Sequence, residues 1–402
     1  MDSDDKPLLI HLDYCLTPTN RITNAAIVVN DGKIQAVGGF SAFVHTENYR
    51  VVRLADCYAL PGLIDTHLYG AAGFDCMHAD SNRNISEMSR LLATHGVTGF
   101  VPTTQSAEQQ HLVDVVRSLS ELCNTDLPGA MAVGLNIEGP YISLAKRGAH
   151  PQRHIRAIDL DEARMVIEAG NGSIKIWTFA PELRGSLELV ALLKEHGIVA
   201  SMGHTTANQE QVEEAVAAGA LRCCHLYNGM EPLQQRKLGL AAISLINEDI
   251  WVELIPDNIH CSEGMIDLAC RCKSKERIIA ISNSTEAAGL PDGRYNLGED
   301  TIYVRRGRAT LEDGTIAGST NFLDQNYRNM LKLKYLNHAE AAACFTLNAA
   351  RSIGLTDRGE IKPGKRADVT IFDKDHQVRM TLVNGKIVYE SQPTVELEPA
   401  HV

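Results

Sequence analysis

Four histidines and one glutamate stand where short apolar runs of the sequence end, at His67, Glu138, His204, His225 and His260. Imidazole and carboxylate groups hold catalytic divalent ions such as zinc, and an open coordination position on such an ion binds and activates water. Ligand-type side chains at the carboxyl ends of parallel strands converge on the active site of a β/α barrel. The pattern therefore predicts a metal-dependent hydrolase built on a barrel.

Three of these residues form a plausible coordination shell for one ion. Glu138, His204 and His225 end the third, fifth and sixth predicted strands, and two imidazoles with a carboxylate leave a fourth position for water. Each residue alone is more often structural, but the three together indicate a metal site. His67 is followed two positions later by Tyr69, and tyrosine is a poor zinc ligand at neutral pH. We therefore expect one tightly bound ion, with His67 either holding a weak second ion or hydrogen-bonding within the site.

The elements that must position these side chains alternate between strand and helix. Helical patterns separate eight strand-like runs, near residues 60–66, 97–103, 132–138, 174–180, 198–204, 220–226, 251–256 and 277–282. Such alternation predicts the α/β class and a (β/α)8 TIM-type barrel. A doubly wound open sheet is the second choice, because no glycine-rich phosphate fingerprint follows an early strand. The stretch 337–354 predicts one late helix that ends at Gly354.

Both ends of the chain are rich in short strands. The dipeptides Asp31-Gly32 and Asn384-Gly385 each stand between two apolar runs, which is a strong signal for a tight β-hairpin. We therefore predict a small β-sandwich domain formed by both chain termini, residues 1–58 and 362–402. The catalytic barrel is predicted to comprise residues 59–361.

Composition limits the classes of partner and compartment. The chain has 402 residues, and no apolar run reaches the roughly 18 to 20 residues of a membrane span. The acidic start lacks the features of a signal peptide, so we expect a cytoplasmic protein whose ten cysteines are thiols used mainly in packing. The formal net charge of -12 argues against nucleic acid or an anionic membrane as partner. An anionic substrate would need a local cationic pocket.

Longer motifs cover nearly the whole chain and carry a family resemblance. They are the segments 61–67, 137–141, 146–151, 180–182, 203–205, 225–230, 314–319 and 362–368. Together these segments resemble the amidohydrolase superfamily, and within it the N-acetylhexosamine-6-phosphate deacetylases. The segment 137–141 followed by 146–151 is similar to a very specific Glu-Gly-Pro and Gly-Ala-His pattern of that family.

The resemblance implies roles for individual residues. Glu138, His204 and His225 would bind the metal, and the substrate-binding residues would be Ala149, His150, Asn228, Gly229, Arg236, Asp257, His260, Ile316, Ala317 and Gly318. Within this set, Ala149 and His150 would meet the sugar. Asn228, Gly229, Arg236 and His260 would handle the phosphate, which favours backbone N–H groups and a guanidinium fork. In the family the arginine reaches the partner subunit's site, so the resemblance implies a homodimer. On sequence alone Arg236 is more often a solvated loop charge.

One position departs from the family pattern. The family has an aspartate at the end of the eighth strand, which acts as general base on the water and then as acid on the departing amine. Here Asn283 stands at that catalytic position, and an amide has no usable basicity. Asn283 is either an engineered isosteric replacement that traps bound substrate or a natural residue of a slow, inactive or differently catalysed protein. We favour the first, because the other site positions are maintained.

The expected reaction is hydrolysis of the acetamide of an N-acetylhexosamine 6-phosphate to acetate and the hexosamine 6-phosphate. Segments 270–278 and 290–295 look somewhat like the galactosamine branch of the family, but the two sugars differ only in the configuration of one hydroxyl. Two alternatives stay open. One is another amidohydrolase such as a cyclic-amide hydrolase, which Tyr69 and Glu138 disfavour. The other is a sugar-phosphate-binding homologue that has lost its chemistry.

Overall fold

A barrel of eight parallel strands forms the centre of the computed structural model, which describes residues 6–17, 20–78, 82–123 and 125–392. Its strands are Leu63–Leu68, Val97–Pro102, Met131–Ala132 continued by Leu135–Glu138, Ile174–Phe179, Val199–Met202, Arg222–Cys223, Trp251–Leu254 and Ile278–Ala280. Each strand pairs in parallel with the next one along the chain. The backbone N–H of Asn283 donates to the carbonyl of His67 at 3.0 Å, and Tyr69 N–H donates to Ser284 at 2.8 Å. These bonds join the eighth strand to the first and close the barrel.

The strands are almost wholly buried because both of their faces are covered. Every residue of Leu63–Leu68 and of Val97–Pro102 is buried, as expected for parallel strands under a layer of helices. The barrel helices and those that follow are Asn82–Thr94, Gln109–Leu122, Leu160–Ala169, Ser186–Glu195, Gln209–Ala218, Leu240–Ile246, Glu263–Cys272, Leu323–Met330, His338–Phe345 and Leu347–Ser352. Among the described residues, no helix has the length and apolar character needed to cross a membrane.

Local sequence explains where individual helices begin and break. Asn208 and Gln211 cap Gln209–Ala218 reciprocally, each side chain accepting the other's backbone N–H. The prediction of one helix over 337–354 is wrong, because Thr346 separates His338–Phe345 from Leu347–Ser352. The Thr346 hydroxyl donates to the carbonyl of Ala342 at 2.9 Å, a side-chain bond to the backbone that competes with regular helix.

Both chain ends form one seven-stranded sheet beside the barrel. In spatial order its strands are Lys386–Glu390, Val378–Val383, Val369–Asp373, Arg50–Pro61, Leu8–Leu16, Arg21–Asn30 and Lys33–Gly39. The two ends meet where Val369–Asp373 pairs antiparallel with Arg50–Pro61. A small β-domain built from both termini is therefore present, as predicted, while the boundaries at residues 58 and 362 stay a prediction.

The predicted hairpin turns have the backbone that their sequences require. Asp31 and Gly32 have φ of 49° and 73°, and Asn384 and Gly385 have φ of 50° and 78°. Positive φ at both central residues defines the type I′ turn, which matches the twist of the flanking strands.

Further strands lie at the carboxyl end of the barrel. A three-stranded antiparallel sheet, Gly293–Leu297, Asp300–Arg305 and Arg308–Thr310, follows the eighth barrel strand. The short strands Gly70–Ala71 and Phe74–Asp75 follow the first. A bridge between Thr310 and Ile316 ties the segment after the three-stranded sheet to that sheet, which positions 315–318 at the barrel mouth.

An aromatic cluster joins the small domain to the barrel. The Tyr58 ring stacks on Phe372 with centroids 5.6 Å apart, and its hydroxyl lies 2.7 Å from His376 Nδ1. Across the junction, the Tyr58 ring lies edge-on to His338 with centroids 5.1 Å apart, and the Tyr327 hydroxyl lies 2.5 Å from His338 Nε2. Burial lowers the pKa of His338 to about 4, with His376 adding to the shift. The neutral imidazole of His338 is therefore the form that this contact favours.

We expect the free energy of unfolding to decrease as pH falls from about 6.5 towards 4, in part through His338. The unfolded chain binds a proton there near the usual histidine pKa of about 6.5, whereas the folded chain resists protonation until about 4. His338→Gln keeps an acceptor for Tyr327 and should flatten this dependence in urea unfolding at pH 7 and pH 5. His196→Gln, at an exposed position, serves as the control. An unchanged pH dependence in His338→Gln would contradict the assignment.

Candidate metal centre and active site

The three predicted metal ligands converge around one oxygen atom. Glu138 Oε1 lies 3.2 Å from His204 Nε2 and 3.0 Å from His225 Nε2, and the two nitrogens are 3.1 Å apart. All three side chains are buried. Ligand atoms about 2.0–2.2 Å from a tetrahedral zinc ion stand roughly 3.3 Å from one another. The triangle therefore has the size and the donor set that one divalent ion needs.

The orientation of His204 also fits a metal ligand. Its Nδ1 lies 2.7 Å from the backbone carbonyl of Lys146. Because a carbonyl oxygen only accepts, Nδ1 carries the proton in the neutral ring and Nε2 presents its lone pair to Glu138 and His225. His204, His225 and Asn283 have positive φ of 47°, 24° and 55°. Strained backbone of this kind concentrates at functional sites.

The second oxygen of Glu138 faces the first strand. The Tyr69 hydroxyl donates to Oε2, His150 Nε2 lies 3.3 Å away, and His67 Nε2 lies 3.6 Å away. Burial and the neighbouring carboxylate raise the pKa of Tyr69 well above its usual value, so the phenol stays a donor. Tyr69 thus occupies the side of Glu138 that faces His67.

The electrostatic environment keeps Glu138 ionised. Burial alone would raise the pKa of its carboxyl group. The charge of His67 and the neighbouring imidazoles of His150, His204 and His225 outweigh burial and hold that pKa well below the usual range. A buried carboxylate needs such partners, because an unpaired charge is costly in a low-dielectric interior.

A cavity of about 240 Å³ opens onto this cluster. Most of the predicted substrate-contact residues line it, together with the catalytic position: Ala149, His150, Asn228, Gly229, His260, Asn283, Ile316 and Gly318. His204 and His225 form part of the same wall. The structure therefore brings the predicted metal-binding and substrate-binding residues to one place, and their individual roles stay predictions.

Three predicted residues lie elsewhere. Asp257 is buried beside the cavity, where its Oδ2 is 2.7 Å from His260 Nδ1 and accepts from Ser319 Oγ at 2.9 Å. This contact suits a residue that orients His260. Ala317 packs in an apolar cluster that also contains Tyr69. Arg236 is exposed on the loop after the sixth strand and lines a separate surface groove.

Asn283 lies just beyond the eighth strand, at the predicted catalytic position. Its backbone carbonyl accepts from Ser319 N–H at 2.8 Å, which complements the backbone bond to His67. Its side-chain Oδ1 is buried and has no hydrogen-bond partner among the described residues. Since the residue lines the cavity, this atom is available to a bound substrate.

Among the site residues that sequence reasoning missed are Gln105 and Cys224. Gln105 lines the cavity with a buried side chain. It lies shortly after the second strand, so the strand-end rule applied to amides could have found it. Cys224, to which the sequence assigns a role in packing, has its Sγ atom 3.4 Å from Glu138 Oε1. Its position directly before His225 was the available signal.

Comparison with known proteins identifies the family. Residues 58–388 match the Amidohydrolase family. The chain is 35% identical over 391 residues to the N-acetylglucosamine-6-phosphate deacetylase of Bacillus subtilis (strain 168), covering 96% of this chain and 98% of the relative. It is 34% identical over 328 residues to the N-acetylgalactosamine-6-phosphate deacetylase of Escherichia coli O157:H7, covering 81% and 86%. The chain therefore belongs to the amidohydrolase family.

Solved structures agree with this placement. An N-acetyl-D-glucosamine-6-phosphate deacetylase variant from Mycobacterium smegmatis, in complex with N-acetyl-D-glucosamine-6-phosphate, superposes with a TM-score of 0.90 at 29% identity, covering 95% of this chain and 99% of that one. The Thermotoga maritima N-acetylglucosamine-6-phosphate deacetylase gives 0.86 at 32% identity, covering 95% and 100%. These likenesses confirm the barrel with its small β-domain. They also confirm the resemblance to N-acetylhexosamine-6-phosphate deacetylases, which makes the chain a hydrolase.

We expect Glu138→Gln to weaken zinc binding by on the order of 100-fold or more, because even residues outside the coordination shell cost 10- to 100-fold. The amide keeps the shape of the side chain but removes the charge between the two imidazoles. Zinc affinity is measured by competition with a chromophoric chelator, and circular dichroism checks the fold. Glu299→Gln, a partly exposed carboxylate paired with Arg153, is the matched control. Wild-type zinc affinity in Glu138→Gln would refute the assignment.

Proposed function

We propose that the protein is a metal-dependent deacetylase that acts on an N-acetylhexosamine 6-phosphate and releases acetate and the hexosamine 6-phosphate. The observation that carries this proposal is the convergence of Glu138, His204 and His225 beside a cavity that the two histidines line. Relatives whose names state this activity support the choice of substrate class. The cytoplasmic location stays a prediction from the sequence.

Glu138, His204 and His225 would hold the ion, and zinc is proposed because a carboxylate with two imidazoles suits it. When bound, such an ion supplies a Lewis acid that activates water and polarises the acetamide carbonyl. The chain's own contribution is to present three ligand atoms with their partners already in place. Lys146 fixes the ring of His204 and Tyr69 fixes the far oxygen of Glu138.

The remaining cavity residues are proposed to bind the sugar phosphate. The Nδ1 atom of His260 is hydrogen-bonded to Asp257, so its Nε2 atom is proposed to face the substrate. The turn at Asn228 and Gly229 also lines the cavity, and the Gly229 backbone N–H is proposed to contact a phosphate oxygen. The backbone and side-chain amides of Asn228 hold this turn by donating to the carbonyls of His225 and Leu226. Binding energy from a remote phosphate would hold the acetamide against the reacting groups and offset the entropy of ordering it.

Asn283 is proposed to limit the rate. A carboxylate at this position would take a proton from the attacking water and give it to the departing amine, and an amide does neither. The side chain of asparagine matches aspartate in size, so binding is preserved while proton transfer is lost. We propose that the residue is an isosteric replacement in an otherwise intact deacetylase site. The rival is a natural sugar-phosphate-binding homologue without turnover.

We expect Asn283→Asp to raise kcat by roughly 10²- to 10⁴-fold, the usual contribution of a general acid–base group. Acetate release is measured with zinc supplied, using N-acetylglucosamine 6-phosphate and N-acetylgalactosamine 6-phosphate in parallel. Asn258→Asp is the matched control, because Asn258 also has positive φ (62°) but is exposed.

Comparing kcat/KM for the two sugar phosphates also identifies the preferred substrate, which is the one with the larger value. Binding of either sugar without acetate release after Asn283→Asp would favour the homologue that has lost its chemistry. Neither binding nor turnover would refute the substrate class. Restored turnover would eliminate the binding-only rival.

We also propose a homodimer in which Arg236 reaches the partner's site. The exposed position of Arg236, apart from the cavity of its own chain, supports this arrangement. A guanidinium that contacts phosphate contributes through charge-assisted hydrogen bonds, each worth about 1.5–3 kcal/mol.

In the Asn283→Asp background, we expect Arg236→Ala to raise KM by roughly 10- to 100-fold with a smaller change in kcat, as loss of such a bond implies. Mixed dimers test the arrangement. A subunit with Arg236→Ala keeps an intact metal centre, and a subunit with Glu138→Gln keeps Arg236. Refolding the two together should restore low-KM activity if Arg236 acts across the interface. No recovery in verified mixed dimers would place its action within one chain.

A further inference from the structure

A buried ion pair lies behind the candidate metal centre. Arg222 of the sixth strand and Glu253 of the seventh are both 0% exposed, and their Nη2 and Oε1 atoms are 2.7 Å apart. Arg222 also donates to Thr66 Oγ1 and Ser352 Oγ, each at 2.8 Å. Burying two charges costs desolvation energy that their attraction often fails to recover. Because every nitrogen of this guanidinium has a hydrogen-bond partner, we look for a role of the pair beyond stability.

The second carboxylate oxygen of Glu253 contacts two residues of the candidate metal centre. Oε2 lies 3.2 Å from His67 Nδ1 and accepts the backbone N–H of His225 at 3.1 Å. His225 follows a two-residue strand and has a φ of 24°. Backbone bonds to neighbouring strands hold Cys224 and Leu226 on either side of it, whereas its own N–H is held by the Glu253 side chain. Oε2 of Glu253 thus contacts both the His67 imidazole, which lies beside Glu138, and the backbone N–H of the candidate metal ligand His225.

We propose that Arg222 and Glu253 are positioning residues for the metal centre, holding His225 and His67 so that Glu138, His204 and His225 share one ion. The proposal rests on the proposed function, because it assumes that these three residues bind the metal. Arg222 occupies Oε1 of Glu253 and is itself anchored to the first strand and to the helix Leu347–Ser352. This anchoring directs Oε2 towards the two histidines.

The alternative is that the pair only stabilises the fold, and two variants separate the two roles. Glu253→Leu leaves Arg222 buried without its carboxylate, so both stability and zinc affinity should fall. Arg222→Met/Glu253→Leu removes both charges and should recover most of the melting temperature, as apolar replacement of a whole buried pair often does. Its zinc affinity should stay roughly 10- to 100-fold below wild type, the usual cost of losing an outer-shell partner.

Two readouts other than activity are used on the full chain. Chelator competition gives zinc affinity, and the visible spectrum of the cobalt-substituted protein reports ligand geometry. Glu253→Gln, which keeps an acceptor oxygen, should lose less affinity than Glu253→Leu and provides the measurement if the leucine variant does not fold. The control is Arg156→Met/Glu162→Leu, which removes a largely buried pair outside the site and should leave zinc affinity unchanged.

A double variant with wild-type zinc affinity and an unchanged cobalt spectrum would overturn the positioning role while leaving the proposed deacetylase intact. If the wild-type chain binds zinc but the Asn283→Asp variant releases no acetate, the deacetylase proposal is refuted and the positioning role stands. A wild-type chain without zinc affinity would overturn both.

Discussion

The carboxylate of Glu138 is fully buried, and the polar side chains of the candidate metal centre are arranged around its two oxygens. Oε1 faces His204 and His225, whereas Oε2 faces Tyr69 and His150. A charge at this depth is tolerated only with partners on every side. The strands that supply those partners must therefore close into a barrel before the site exists.

This requirement explains which parts of the site the sequence could reveal. Glu138, His204 and His225 each end an apolar run, and the rule that parallel strands present their carboxyl ends at one face brings them together without coordinates. The hairpins at Asp31-Gly32 and Asn384-Gly385 were equally predictable, because those dipeptides accept positive φ. In each case a local pattern and one general rule were enough.

The remaining features depend on which side chains meet after closure. Arg222 and Glu253 lie within strands whose neighbours are apolar, and only the register between the sixth and seventh strands makes them partners. The contact of Tyr69 with Glu138 spans the first and third strands. Thr346, with a non-helical backbone, separates two helices where the flanking residues favour one. No periodicity in a single sequence encodes such pairings.

The sheet made from both ends of the chain bears on how the protein is synthesised. Arg50–Pro61 runs almost directly into the first barrel strand, yet its neighbour Val369–Asp373 is translated about 310 residues later, a separation that slows pairing through loop-closure entropy. Until then Arg50–Pro61 has an open hydrogen-bonding edge on the nascent polypeptide, and open edges invite aggregation. The open edge of Arg50–Pro61 is thus covered only after a strand near the other end of the chain has been translated.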